Sequence, residues 1–387
     1  MRSPEEVLSA LVRANSVNPA YGDGGSEANL LPLLHAFFAE RGIETFEQEV
    51  FPGRNNLIAR LPGRTNRRLI FEAHMDTVSI KGMRIPPFEP RVEGGRLYGR
   101  GSVDDKAGLT AMMLALAQLA AAPQPPPCEV WLAAVVDEEF SFRGVVRLCE
   151  GLEAEAAIVA EPTQLRAVLA SKGVLRVRVH TRGRAAHSSK PHLGTNAIVH
   201  MAHLVRALED EQARLAMRSH PLLGQPTLNV GLIQGGVQVN FVPDRCAIEI
   251  DRRLLPGETA AGAVREIEAV LERVAQSLPG FDAFVEKPSL LEDEALDTPG
   301  DAPVVAHAQK VLESLNLDPT PCGVPFGSDA SKLSRAGIPT LLFGPGSIDQ
   351  AHAEDEFVEL AQVEKAVEFY TRFAASFVPA HSPISGS

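Results

Sequence analysis

The chain has 387 residues, 45% of them hydrophobic and 22% charged, and 49 Asp and Glu against 37 Lys and Arg give a net charge of −12. That length exceeds what one hydrophobic core usually supports, so two domains are expected, and the acidic balance excludes the basic face that nucleic acid would need. No apolar run reaches membrane-spanning length, no signal region accompanies Arg2, Glu5, Glu6 and Arg13, and Cys128, Cys149, Cys246 and Cys322 lie far apart, which predicts a cytoplasmic enzyme with reduced, mostly buried thiols.

Ser3-Pro4-Glu5-Glu6 predicts a helix start, with a capping serine, proline at the first helical position and acids in the first turn. A second helix is expected over 26–40, then extended segments at 43–50 and 56–61. In Leu69-Ile70-Phe71-Glu72-Ala73-His74-Met75-Asp76-Thr77 an apolar strand stops at a histidine, with an aspartate two residues on. In an open parallel sheet that edge is where ligands gather. His74 could bind a metal through one ring nitrogen while Asp76 holds the other. Alone, a satisfied histidine beside a turn aspartate is the commoner case.

Gly99-Arg100-Gly101-Ser102-Val103-Asp104-Asp105-Lys106 is a glycine turn entering a long helix, 106–121. It is not a dinucleotide fingerprint, because Asp104 stands at the third glycine position and would repel a pyrophosphate; an acid there suits a cation. An apolar strand at 130–136 ends in Asp137-Glu138-Glu139, and another at 156–160 ends in Glu161-Pro162-Thr163, with a helix at 144–151 between them.

From 175 to 181 the pattern alternates as in a half-exposed antiparallel strand. A helix at 196–213 capped by Asn196, strands at 228–234, 238–241 and 246–252, a helix at 260–276 and a strand at 283–287 follow. This β-α-β-β-α-β order predicts a ferredoxin-like α+β module inserted at 176–288. It divides a catalytic α/β domain, with a mixed, largely parallel sheet flanked by helices, into 1–175 and 289–387. That second part should hold helices at 302–315 and 328–336, a strand at 340–343, Gly344-Pro345-Gly346, His352 and a last helix at 360–377, with 381–387 disordered.

His74, Asp104, Glu139, Glu161 and His352 are the candidate metal ligands, and all but Asp104 lie at or just past the end of an apolar strand. Two histidines and three carboxylates are too many for one tetrahedral zinc but suit two zincs sharing a carboxylate. Such a pair could hold a water and lower its pKa from about 15.7 towards 7. Glu138, beside a ligand, is placed to accept its proton.

His74-x-Asp76, Gly99-Arg100-Gly101-x-x-Asp104-x-Lys106, Asp137-Glu138-Glu139, Glu161-Pro162-Thr163 and Ala351-His352 occur in the order seen in the di-zinc amidases, and the resemblance covers essentially the whole chain. That family includes acetylornithine deacetylase, succinyl-diaminopimelate desuccinylase, aminoacylase and glutamate carboxypeptidase. The resemblance implies that Asp104 bridges two Zn2+ ions, with His74 and Glu161 completing one site and Glu139 and His352 the other; Co2+ or Mn2+ would suit the same ligands. Asp76 would orient His74, and Glu138 would serve as base and then as acid to the leaving amine. Ala186-His187-Ser188-Ser189 resembles the segment whose histidine reaches a partner's site across a homodimer, there to stabilise an oxyanion. Arg253 resembles the arginine that holds a substrate carboxylate, with Asn240 as its companion.

Gly344-Pro345-Gly346-Ser347-Ile348-Asp349-Gln350-Ala351-His352 is similar to the acetylornithine deacetylase branch, whereas Gly327-Ser328-Asp329-Ala330 departs from the Gly-Thr-Glu-Ala expected there. The implied substrate is a small N-acyl amino acid, N-acetyl-L-ornithine first, which would place the chain in arginine biosynthesis. Desuccinylation of a diaminopimelate derivative, other N-acyl amino acids, and carboxypeptidase or dipeptidase activity are the alternatives. A non-catalytic, metal-stabilised binding protein on the same fold is the reading from another class.

Overall fold

The computed structural model describes residues 2–379; the expectation for 381–387 lies outside them. The described residues form two compact units, the larger from 2–169, 298–322 and 328–379, the smaller from Ala170–Asp297 and Gly323–Gly327.

In the larger unit the strands Glu129–Val135, Arg68–His74, Ala156–Val159 and Thr340–Leu342 lie side by side, and neighbours are parallel. The hairpin Glu44–Phe51 and Arg54–Leu61 adds an antiparallel edge beyond Glu129–Val135. Arg68–His74 is buried at every position but its first, as a central strand covered on both faces must be. The helix Lys106–Ala120 is buried along almost its whole length, which explains why its sequence is apolar and small-residued all round. It packs against the final helix, Leu360–Ser376. Phe343 at the end of the last parallel strand stacks on Phe369 with ring centroids 3.8 Å apart, and the Tyr370 hydroxyl donates to the Phe343 carbonyl. The first helix, Pro4–Arg13, carries the expected Ser3 cap, closed into a capping box by Glu6.

The smaller unit has the antiparallel strand order Asp282–Val285, Gly173–Arg182, Arg245–Leu254, Thr227–Gly235. Its helices Ala197–Leu215 and Ala260–Ser277 bury Met201, Leu204, Ile267 and Val270 in one core with Val177, Val179, Ile248 and Ile250 of the sheet. That is the ferredoxin-like arrangement. The unit runs wider than 176–288, in part because Leu291–Asp293 pairs with Val174–Arg176, a contact of a strand too short to show a period. The strand expected at 238–241 is reduced to Phe241–Val242, paired with Ala186–His187, since Gln238 and Phe241 close a turn (N–H to carbonyl, 3.1 Å).

Gly144 shows how tightly the turn after Glu129–Val135 is closed. A Cβ there would sit 2.1 Å from the Val136 carbonyl oxygen and 2.7 Å from the Val136 nitrogen. Gly144→Ala should therefore destabilise the chain by about 1–3 kcal/mol in urea denaturation, through backbone overpacking. Gly300→Ala, where a Cβ meets nothing within 4 Å, should be close to neutral.

Candidate metal centre

Parallel register brings the chemistry together. His74 pairs with Val135, and Glu72 and Leu342 both pair with Val159, so three neighbouring strands and the one beyond them end at the same edge. The chain leaves that edge into Asp137-Glu138-Glu139, Glu161 and the segment leading to His352.

The turn carrying Glu138 and Glu139 is fixed from several sides. Val136 N–H donates to Asn56 Oδ1 at 3.1 Å, Asp137 takes a left-handed conformation (φ 71°), and Phe142 N–H donates to the Asp137 carbonyl at 2.7 Å. Asp76 then reaches over from the neighbouring strand. Its Oδ1 accepts from Glu138 N–H and its Oδ2 from Glu139 N–H, both at 3.1 Å, and Asn18 Nδ2 donates to Oδ2 at 2.8 Å. The expected orientation of His74 by Asp76 comes mainly from the Asp76 carbonyl oxygen, 3.0 Å from Nδ1, with the carboxylate at 3.6 Å. Either contact leaves Nε2 as the nitrogen available for a metal.

That nitrogen lies 3.0 Å from Asp104 Oδ1, while His352 Nε2 lies 3.3 Å from Asp104 Oδ2 and 3.1 Å from Glu139 Oε1. One carboxylate is thus divided between two imidazoles, an oxygen to each. Ligand atoms of His74, Asp104 and Glu139 all lie within 4.8 Å of one another. Glu161 is buried but stands outside that tight group; it is near enough for the charges of Asp104 and Glu138 to act on it. Gly344 permits this approach, since a Cβ there would be 2.5 Å from the Glu161 carbonyl oxygen, and Gly344 N–H donates to Thr163 Oγ1 at 3.0 Å.

The electrostatics follow from burial and crowding. Burial alone would raise the Asp104 carboxyl, but hydrogen bonds from His352 and His74 hold it well below the usual carboxylate range. Burial pushes Glu138, Glu139 and Glu161 upward, and neighbouring carboxylates add to the effect. Burial opposes charge on the histidines, yet the carboxylates win: His74 is raised, and His352 is pushed up to about 11 by Asp104 and Glu139. The carboxylates that raise both imidazoles would favour a divalent ion in the same way. Imidazole nitrogens facing opposite oxygens of one carboxylate, with the other nitrogen of His74 already engaged, fit a pair of such ions.

The remaining candidates belong to the smaller unit. Ser189 N–H donates to His187 Nδ1 at 3.1 Å, so the proton sits on Nε2, and the side chain is exposed. Ser188 N–H donates to the Asn240 carbonyl at 3.0 Å, which brings Asn240 beside His187. Arg253 is not next to Asn240 in the sheet; its guanidinium forks onto Asp251 at 2.7 and 3.3 Å.

Sequence reasoning passed over several groups around the centre. Arg54 reaches Asp137 at 3.1 Å and buried Glu27 at 2.5 and 2.9 Å, and Asn18 bonds Asp137 at 3.0 Å as well as Asp76. Glu72 and Asp329 are both buried; burial raises both carboxyls, Glu72 to about 8. A glutamate inside an otherwise apolar strand was the signal available for Glu72. Ser328 and Asp329, the departure from the expected Thr-Glu, are 0% and 1% exposed, so that change alters the interior rather than an open surface.

Residues 70–376 match the family described as Peptidase family M20/M25/M40. An acetylornithine deacetylase from Yersinia pseudotuberculosis is 30% identical over 388 residues, covering 96% of this chain and 97% of the relative. An N-formyl-4-amino-5-aminomethyl-2-methylpyrimidine deformylase from Halalkalibacterium halodurans is 29% identical over 411 residues, covering 97% and 94%. Among solved structures, a Bacillus subtilis protein described as a dinuclear metal binding peptidase from the M20 family aligns with a TM-score of 0.74 at 15% identity, covering 96% of each chain. Four parallel strand ends, a carboxylate set between two histidines and a match through most of the sequence agree: the chain belongs to the M20/M25/M40 peptidase family, a family of metal-dependent hydrolases.

Proposed function

We propose that this hydrolase cleaves the amide of an N-acyl amino acid, with N-acetyl-L-ornithine as its first substrate, in a cytoplasmic step of arginine biosynthesis. One observation carries the reading: Asp104 presents one oxygen to His74 and the other to His352. His74 and Glu161 would hold one ion and Glu139 and His352 the other, with Asp104 shared, and zinc is the metal we assign first. Bound there, two divalent ions would polarise the substrate carbonyl and acidify a water.

The chain's own groups do the rest. Glu138 takes the proton from the attacking water and returns it to the leaving amine; burial and its acidic neighbours give its carboxyl the raised affinity for a proton that this task needs. Asp76 fixes the backbone N–H of both Glu138 and Glu139, so base and ligand keep one spacing. His187, with its proton on Nε2, is assigned the oxyanion, and Arg253, assisted by Asn240, the substrate carboxylate. That last assignment requires Arg253 to exchange Asp251 for substrate. The substrate choice rests on the Gly344–His352 segment and on the deacetylase relatives; the formamide-cleaving relative performs the same class of acyl removal. A non-catalytic binding protein would have no need of Glu138.

Amine release from a panel of N-acetyl, N-formyl, N-succinyl and peptide substrates should be fastest with N-acetyl-L-ornithine. Glu138→Ala should keep about two metals per chain while kcat falls at least about 10²-fold; undiminished turnover would remove Glu138 as the base. Because neighbouring carboxylates raise the proton affinity of both histidines and a bound ion competes with any proton on the ligating nitrogen, zinc loading at pH 7 should release protons and weaken as pH falls. Calorimetry in buffers of different ionisation enthalpy reads this directly, and zero net release would contradict it. We also assign a homodimer to the smaller unit, whose edge strand Thr227–Gly235 exposes Leu232 and Ile233 and is followed by Val237 and Val239, 95% and 98% exposed. Light scattering should give a dimer, and mixed His187→Ala and Glu138→Ala chains should regain activity in heterodimers.

A further inference from the structure

Asp104 is held in place by a residue 252 positions further along the chain. Glu356 and Arg100 are 1% and 2% exposed and form an ion pair, Arg100 Nη1 to Glu356 Oε2, at 2.6 Å. The other oxygen, Oε1, accepts from Val103 N–H at 3.0 Å and Asp104 N–H at 3.4 Å, and the Glu356 carbonyl accepts Gly99 N–H at 3.0 Å. One residue therefore grips the turn from 99 to 104 through Gly99, Arg100, Val103 and Asp104.

Stability alone explains this arrangement poorly. Removing a guanidinium and a carboxylate from water is costly, and well-packed apolar residues of similar volume often serve a fold equally well. Arg100 Nε is in addition buried without a hydrogen-bond partner. What an apolar pair could not do is accept two backbone N–H groups at the residue that faces both histidines. Glu356 also lies four positions after His352, so the same short segment supplies one of Asp104's histidines and fixes Asp104's backbone.

We infer that Arg100 and Glu356 are positioning residues for the shared metal ligand, setting the Asp104 carboxylate at the spacing that two ions require. The inference rests on the di-metal reading of the site. Three variants separate the two: Asp104→Asn, Glu356→Gln, and the double variant Arg100→Met/Glu356→Met, which keeps volume while removing charge and acceptor. Each is purified metal-free, checked by thermal unfolding, and titrated with zinc against a chelator. Asp104→Asn should lose at least one zinc per chain; zinc binding like that of the unmodified chain would overturn the di-metal reading and the inference with it. Glu356→Gln and the double variant should bind zinc about 10–100-fold more weakly, the double variant while keeping a metal-free unfolding midpoint close to that of the unmodified chain. Should Glu356→Gln fail to fold, the double variant decides. Unchanged zinc affinity in a folded Glu356 variant, with Asp104→Asn impaired, would overturn the positioning role and leave a purely structural ion pair.

Discussion

The larger unit is organised around an excess of buried negative charge at one edge of its sheet. Glu72, Asp76, Asp104, Asp105, Glu138, Glu161 and Asp329 are all buried there or beside it, and parallel strands ending in register leave them no room to separate. Like charges at short range in a poorly solvated interior cannot all persist ionised. Burial and crowding act in two ways: they raise the affinity of Asp105, Glu138 and Glu161 for a proton, and the surrounding carboxylates raise that of both histidines. A pair of divalent cations would relieve the same strain, which is why the arrangement reads as a metal centre rather than as an acidic interior.

Around this centre the hydrogen bonds link one element to the next, outward from the Glu138-Glu139 turn. Asp76 divides its oxygens between two N–H groups of the Glu138-Glu139 turn, Asn18 ties Asp76 to Asp137, and Arg54 ties Asp137 to Glu27. Every link joins a charged or amide group to a partner lying elsewhere in the sequence. Rigidity of this kind holds reacting groups at a fixed spacing, which is what preorganised catalysis requires.

Much of this was legible in the sequence because apolar strands have sharp ends. His74, Glu138, Glu139 and Glu161 each stand where such a run stops, and the parallel sheet follows from the runs themselves. Asp104 was legible because an acid in a glycine turn is a poor phosphate cradle. The partners were not, because Asn18, Arg54 and Glu356 sit in segments whose local pattern is that of ordinary loop or strand polarity; only tertiary pairing at separations of up to 256 residues gives them meaning. The limits of the smaller unit were hidden for a related reason: strands of two or three residues carry no period to read. Gln238 to Phe241 alternates as a strand does, yet a local turn bond prevails over that pattern.

The larger unit is assembled from three stretches of chain, and the last of them contains His352 and Glu356. During synthesis His74, Asp104 and Glu139 emerge long before these two, and the intervening smaller unit, with its own core, is complete earlier as well. Closing the centre therefore takes contacts of very high sequence separation, which carry the entropic cost of closing very long loops. A ribosome-bound or prematurely ended chain would carry His74, Asp104 and Glu139 without His352 and Glu356, so on the proposed di-metal reading a full complement of metal would be a signature of a chain that has been finished and folded.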